Sequence, residues 1–150
     1  MSAPTRNGSS GVTRRDELAI SGTVMSQAPW GAAGAAGVVV AGGDLILHLM
    51  LWHLAIVSSV SLGAVAFFAV AGAGALWRSR RSRAMMWARR NPWRYAVLPG
   101  TAAAIVVFVL SMLDSGGLLG SVWTALWHGA LAFALTGAAG VVVRPRGRNA

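Results

Sequence analysis

Three long stretches of this chain, residues 45–75, 96–113 and 118–143, contain no Arg, Lys, Asp or Glu. Each is at least 18 residues long, close to the length that an α-helix needs to cross the hydrocarbon core of a bilayer. Only 11% of the 150 residues are charged, against about 25% in a soluble domain. The sequence therefore predicts an all-α fold, a polytopic bundle of transmembrane helices.

Turn-forming and charged residues set the predicted boundaries. Residues 1–29 are polar and rich in turn formers, so we expect a disordered tail there. A helical domain over residues 44–143 follows, and residues 144–150 form a basic tail. The three expected spans lie at about 50–77, 92–113 and 121–143.

The Gly/Ala-rich segment 30–43 has two interpretations. Its five glycines each weaken a helix by about 1 kcal/mol relative to Ala, and 14 residues of helix reach only about 21 Å. A flexible or interfacial lead-in is therefore favoured, and a short fourth span is the alternative. Asp44 is then interpreted as the N-cap of a helix that continues without a breaker to Trp77.

The loop between the first two spans, residues 78–94, holds seven arginines and no acid. Basic loops stay in the cytoplasm, so the loop and the C-terminal tail are predicted to be cytoplasmic. The abundance of Arg, Ala, Gly and Val favours a bacterial source and hence the bacterial plasma membrane. Three spans place the N-terminal tail outside, whereas a fourth span moves it inside.

The same loop is the segment whose composition best suits binding. Three partners are considered: anionic lipid headgroups, an acidic membrane-protein partner and nucleic acid. Lipid anchoring is favoured and nucleic acid is disfavoured, because the positive-inside rule already explains the charge. The predicted binding residues are Arg78, Arg80, Arg81, Arg83, Arg89, Arg90 and Arg94.

Small residues at four-residue spacing mark two helix-packing faces, because helices in lipid associate where their backbones can approach closely. Packing within one bundle is favoured over self-association or partner binding, since Gly and Ala are abundant throughout the chain. The residues of the two faces are Ala55, Ser59 and Gly63, and Ala132, Thr136 and Gly140.

Catalytic chemistry has little support in the sequence. The chain has no Cys, which excludes disulfides and thiol chemistry, and it contains no catalytic constellation or phosphate-binding loop. His53 and His128 are candidate axial ligands of a haem, but their distances from the following arginines predict heights that differ by about 13 Å. Asp44 and His48 share a helix face without a third metal ligand.

The expected function is that of a small, non-enzymatic membrane protein without cofactor, acting as an accessory subunit or scaffold. It would work through helix packing, with a membrane-protein partner or further copies of itself, and through its Arg-rich loop. Two alternatives stay open: a haem-binding redox subunit that uses His53 and His128, and an oligomeric, holin-like pore-former.

Overall fold

The computed structural model describes residues 13–52, 55–77, 82–114 and 117–143. These residues form helices and turns and contain no strand, which confirms the predicted all-α fold. The six helices are α1 (Arg14–Met25), α2 (Trp30–Met50), α3 (Ile56–Trp77), α4 (Arg83–Arg90), α5 (Pro92–Leu113) and α6 (Leu118–Val142).

Four of the helices, α2, α3, α5 and α6, are long and apolar enough to cross a membrane. They contain 21, 22, 22 and 25 residues, so each is about 31–37 Å long, which matches a hydrocarbon core of about 30 Å. The protein is thus a polytopic helical membrane bundle with four candidate spans, and α2 is the candidate for the fourth span that the sequence left as the alternative.

The segment expected to be a lead-in, residues 30–43, forms the first two thirds of α2. Asp44 accordingly lies inside this helix and does not cap a new one. The helix predicted to run unbroken to Trp77 is interrupted after Met50, and Trp52 has a φ of 60°, in the left-handed region. Lipid offers no hydrogen bonds to the backbone, so an apolar segment in it becomes helical even where glycines lower its propensity in water.

The disorder expected through residue 29 does not hold for the part of the tail that the structure describes. Thr13 and Asp16 form a capping box at the start of α1: the Thr13 hydroxyl accepts from the Asp16 N–H, and the Asp16 carboxylate accepts from the Thr13 N–H. Val24 and Met25 at the other end of α1 are buried in the main apolar cluster. Local capping and tertiary burial together order this short helix.

The remaining boundaries differ less from expectation. Helix α5 begins and ends where the second span was predicted, α3 begins six residues later than the first span, and α6 begins three residues earlier than the last. The loop between α3 and α5 contains the eight-residue helix α4, which the sequence analysis left irregular.

The helices pack around α3, which contacts α2 on one side and α5 and α6 on the other. Helix α2 has its extensive contacts with α3, whereas α5 and α6 form a closely packed antiparallel pair. Glycines make this pair possible: a Cβ added at Gly129 would lie 2.6 Å from the Ala104 Cβ, and one added at Gly100 would lie 2.8 Å from the Phe133 Cβ. Backbone proximity of this kind is the usual basis of helix association in lipid.

Candidate functional site

The up-and-down order of the four spans divides the bundle into two chemically different ends. We call the end formed by α1, α4, the start of α5 and the last turns of α3 and α6 the arginine end. Every arginine of the described residues lies there: Arg14, Arg15, Arg83, Arg89, Arg90 and Arg94. The other seven arginines of the sequence lie outside the described residues, and in the sequence they precede α1, follow α3 or follow α6.

Helix α4 is amphipathic and forms much of the arginine end. The Ser82 hydroxyl accepts a hydrogen bond of 3.1 Å from the Met85 N–H and so caps the helix. Met85 and Ala88 are buried against the bundle, whereas Arg83 and Arg90 are exposed on the opposite face. The inner face fixes the helix in place, and the outer face presents guanidinium groups.

Two arginines of this end also hold the fold together. The Arg89 Nε donates to the Leu76 carbonyl at 3.0 Å and so satisfies an acceptor in the last turn of α3. Arg94 forms an ion pair with Glu17 and thereby ties the start of α5 to α1. The Arg94 side chain is 65% exposed, so the pair orients α1 more than it stabilises it.

The carboxyl group of Asp16, which takes part in the cap of α1, has a lowered pKa. The Thr13 hydroxyl and then the Thr13 N–H donate to Asp16, and these hydrogen bonds hold the pKa of its carboxyl below the usual value. Asp16 is therefore an anion at neutral pH. It lies at the N-terminal end of α1, where the helix dipole also favours negative charge.

The predicted binding residues are divided by what the structure describes. Arg83, Arg89, Arg90 and Arg94 lie together at the arginine end. Three further candidates, Arg78, Arg80 and Arg81, lie outside the described residues.

The predicted packing faces contact other helices of the same chain. Gly63 lies against α2, where its added Cβ would be 2.7 Å from both the Gly37 carbonyl oxygen and the Ala41 Cβ. On α6, Thr136 lies against Gly72 of α3, Gly140 lies against Pro92 of α5, and Ala132 is buried in a cluster with Val65 and Ala103. The Ser59 hydroxyl lies 2.7 Å from an Asp44 carboxylate oxygen of α2 and 2.9 Å from the Ala55 carbonyl oxygen, and its one proton is shared between these two acceptors. These contacts support the interpretation of packing within one bundle.

The two haem candidates do not come together in the described residues, because His53 lies outside them. His128 is on α6, and its Nδ1 lies 2.8 Å from the Thr124 carbonyl oxygen one turn earlier. Since a carbonyl only accepts, Nδ1 carries the proton in this contact. The pairing of these two histidines stays a prediction.

A polar cluster that the sequence analysis did not assemble lies between α2 and α3, toward the opposite end. Asp44 and His48 are one turn apart on α2, and Ser59 of α3 reaches across to the Asp44 carboxylate at 2.7 Å. The spacing of Asp44 and His48 is visible in the sequence. Ser59 is not recognisable as their partner there, because Asp44 is predicted to start the same helix that contains Ser59.

An apolar groove of about 550 Å³ is formed by the same two helices together with α5, and Asp44, His48 and Ser59 are not among its lining residues. Helices α2 and α5 form its walls and α3 forms its floor. Its lining includes Gly34, Gly37 and Ala41 of α2, Gly63 and Phe67 of α3, and Val106 and Leu110 of α5.

No family model, curated protein or solved structure matches this chain. Its function is therefore inferred from the two ends of the bundle and from the groove between its helices.

Proposed function

We propose that this protein is a non-enzymatic accessory subunit or scaffold of the bacterial plasma membrane, whose arginine end faces the cytoplasm. The observation that carries the proposal is the segregation of charge: all six arginines of the described residues lie at one end of the bundle, and the other seven precede α1, follow α3 or follow α6 in the sequence. Such a distribution is the signature of a cytoplasmic face. Four spans also bring the N-terminal tail and the C-terminal tail to this same side.

The arginine end binds anionic headgroups and, through them or directly, a membrane-protein partner. Each basic residue near an anionic surface contributes about 1 kcal/mol. The described residues of this end carry six arginines against the two carboxylates of Asp16 and Glu17. Exposed guanidinium groups on α4 alternate with half-exposed Met86, a combination of fork-shaped donors and apolar surface that suits a protein interface.

The orientation is tested by cysteine labelling, since the natural chain contains no Cys. Met86→Cys on α4 and Leu119→Cys in the first turn of α6 are both exposed and lie at opposite ends. We expect a membrane-impermeant maleimide to label Leu119→Cys in intact cells and Met86→Cys only after permeabilisation. The reverse pattern would contradict a cytoplasmic arginine end.

The binding role is tested by native mass spectrometry of the protein purified in mild detergent. We expect phosphatidylglycerol, and a partner in stoichiometric amount, to remain bound. The double variant Arg83→Gln/Arg90→Gln on α4 should lose both, and Arg14→Gln/Arg15→Gln on α1 removes the same charge as a matched control. If both double variants lose lipid and partner to the same extent, binding depends on net charge alone and not on α4. If the natural protein retains neither lipid nor partner, the proposal is wrong.

A further inference from the structure

Helix α2 carries an ionisable side chain within its membrane-spanning length. Asp44 lies six residues before the end of α2 at Met50, which places it about 9 Å inside that end. Carboxylates within spans are costly and are usually kept for function. His48 follows one turn later on the same face, and Ser59 of α3 lies opposite.

The hydrogen bonds of this cluster fix which atoms donate. The Ser59 hydroxyl donates to Asp44 Oδ2 at 2.7 Å. The His48 Nδ1 lies 2.9 Å from the Asp44 carbonyl oxygen and 3.2 Å from Asp44 Oδ2. Both of these oxygens accept, so Nδ1 carries the proton, and the Nε2 of a neutral His48 is left as an acceptor.

The cluster thus presents two acceptors to its surroundings, Asp44 Oδ1 and His48 Nε2, and neither has a partner among the described residues. The Asp44 and His48 side chains are 21% and 35% exposed, so a ligand can reach them. Acceptors without donors are complemented by a hydroxyl group. A charged headgroup is disfavoured, because it would have to enter the hydrocarbon by about 9 Å, whereas a neutral hydroxyl enters at a much smaller cost.

The apolar groove approaches this cluster along α2 and α3, although its lining does not include Asp44, His48 or Ser59. Gly37, Ala41, Asp44 and His48 follow one another at spacings of four, three and four residues, so they form one stripe of α2. The first two residues line the groove and the last two belong to the cluster. On α3, Gly63 of the groove floor lies one turn from Ser59. The groove volume of about 550 Å³ is within the range of small-molecule sites.

We infer that this groove binds a neutral lipid alcohol with a single apolar chain, of the class of the polyprenols. The lipid chain lies along α3 between α2 and α5, and the hydroxyl donates its single proton to one of the two acceptors, Asp44 Oδ1 or His48 Nε2. This site is formed by α2, α3 and α5, and its polar cluster lies toward the end of the bundle opposite the arginine end. The inference therefore does not depend on the function proposed for the arginine end.

The test uses the full-length protein in nanodiscs and a farnesol that carries a diazirine as the photoreactive probe. The methyl ether of the same probe is the control, because it has the same chain and no O–H donor. We expect saturable cross-linking of the alcohol to the groove segments of α2, α3 and α5, in competition with unlabelled farnesol. The ether should bind about tenfold more weakly, the effect of one lost hydrogen bond.

Variants of the groove and of the acceptors distinguish binding of the lipid chain from binding of the lipid hydroxyl. Gly34 lines the groove and Gly42 does not, yet a Cβ added at either glycine meets no atom within 4 Å. Gly34→Leu should therefore abolish saturable labelling, and Gly42→Leu should leave it unchanged. The double variant Asp44→Leu/His48→Leu removes both acceptors and should make the alcohol and the ether bind alike, which keeps the inference testable even if one variant folds poorly.

Three results would overturn the inference. Equal, non-saturable labelling by the alcohol and its ether would show ordinary lipid contact. Equal labelling of Gly34→Leu and Gly42→Leu would place the probe elsewhere. A disulfide between two copies of the variant Val38→Cys, whose cysteine lies in the groove of a chain without natural Cys, would show that a second copy of the protein occupies it.

Discussion

Gly63 of α3 lies directly against the backbone of α2, and its substitution tests how α2 is held. In Gly63→Ala the new Cβ would lie 2.7 Å from the Gly37 carbonyl oxygen and 2.7 Å from the Ala41 Cβ. Carbon atoms in contact are about 3.5–4.0 Å apart, so α2 must move outward by roughly 1 Å. We expect α2 to shift as a unit because its extensive contacts are with α3.

The magnitude follows from two opposing effects. Overpacking of this kind costs about 1–3 kcal/mol, while Ala stabilises a helix by about 1 kcal/mol relative to Gly. Gly42→Ala on α2 gives the second effect alone, because its Cβ would meet no atom within 4 Å. The free energy of unfolding of Gly63→Ala should therefore be about 1–3 kcal/mol lower than that of Gly42→Ala.

The free energies are measured by unfolding in mixed micelles of dodecyl maltoside and SDS. The displacement is measured by double electron–electron resonance between spin labels on Leu47→Cys of α2 and Ile105→Cys of α5, two exposed positions in a chain without natural Cys. Equal unfolding free energies of the two glycine variants, with an unchanged distance between the labels, would refute the close packing of α2 on α3.

Three smaller changes test other contacts. Thr136 Oγ1 is buried and has no partner in the described structure, so Thr136→Val should raise the free energy of unfolding by about 1 kcal/mol, measured in the same micelles. Tyr95→Phe removes the 3.3 Å hydrogen bond from the phenol to the Gly72 carbonyl and should lower that free energy by about 0.5–1.5 kcal/mol. Thr13→Ala removes the cap of α1 and should speed hydrogen exchange there about fivefold, for a loss of about 1 kcal/mol. Because Thr13 lowers the pKa of Asp16, the capping contact is fully present above the carboxyl's usual value of 3.8. The protection factors of the α1 amides, which are corrected for the pH dependence of intrinsic exchange, should fall as the pH drops below that value.

The second span was the most predictable part of the fold. Asn91 and Pro92 mark its start and Asp114 follows its end. These local start and stop signals are sufficient to predict the bounds of α5 without tertiary information. Helix α2 lacks such signals at its centre, and helix propensities measured in water count its glycines as breakers. In lipid the backbone must satisfy its own hydrogen bonds, and the same glycines become contact points for α3.

Helix α1 shows a local signal that composition concealed. Thr13 and Asp16 have the spacing of a capping box, but they lie in a polar segment whose composition predicts disorder. What the sequence does not contain is the burial of Val24 and Met25 against distant helices, which gives this short helix its stability.

The candidate sites were predictable to different degrees. The arginine end follows from composition and the number of spans, because connectivity alone sorts the loops to two sides. The contact of Ser59 with Asp44 depends on the register between α2 and α3, two helices that the sequence analysis had merged into one. No spacing rule within a single helix brings together residues that lie across such a turn.

The central position of α3 has a consequence for the order of assembly. During synthesis, α2 and α3 leave the ribosome before α5 and α6, so the side of α3 that ends up against α6 first faces lipid. That side includes Gly72, whose carbonyl later accepts from Tyr95. The hairpin of α2 and α3 is therefore inserted in the bilayer with this surface of α3 exposed to lipid. How long it remains exposed depends on how quickly α5 and α6 are synthesised and inserted.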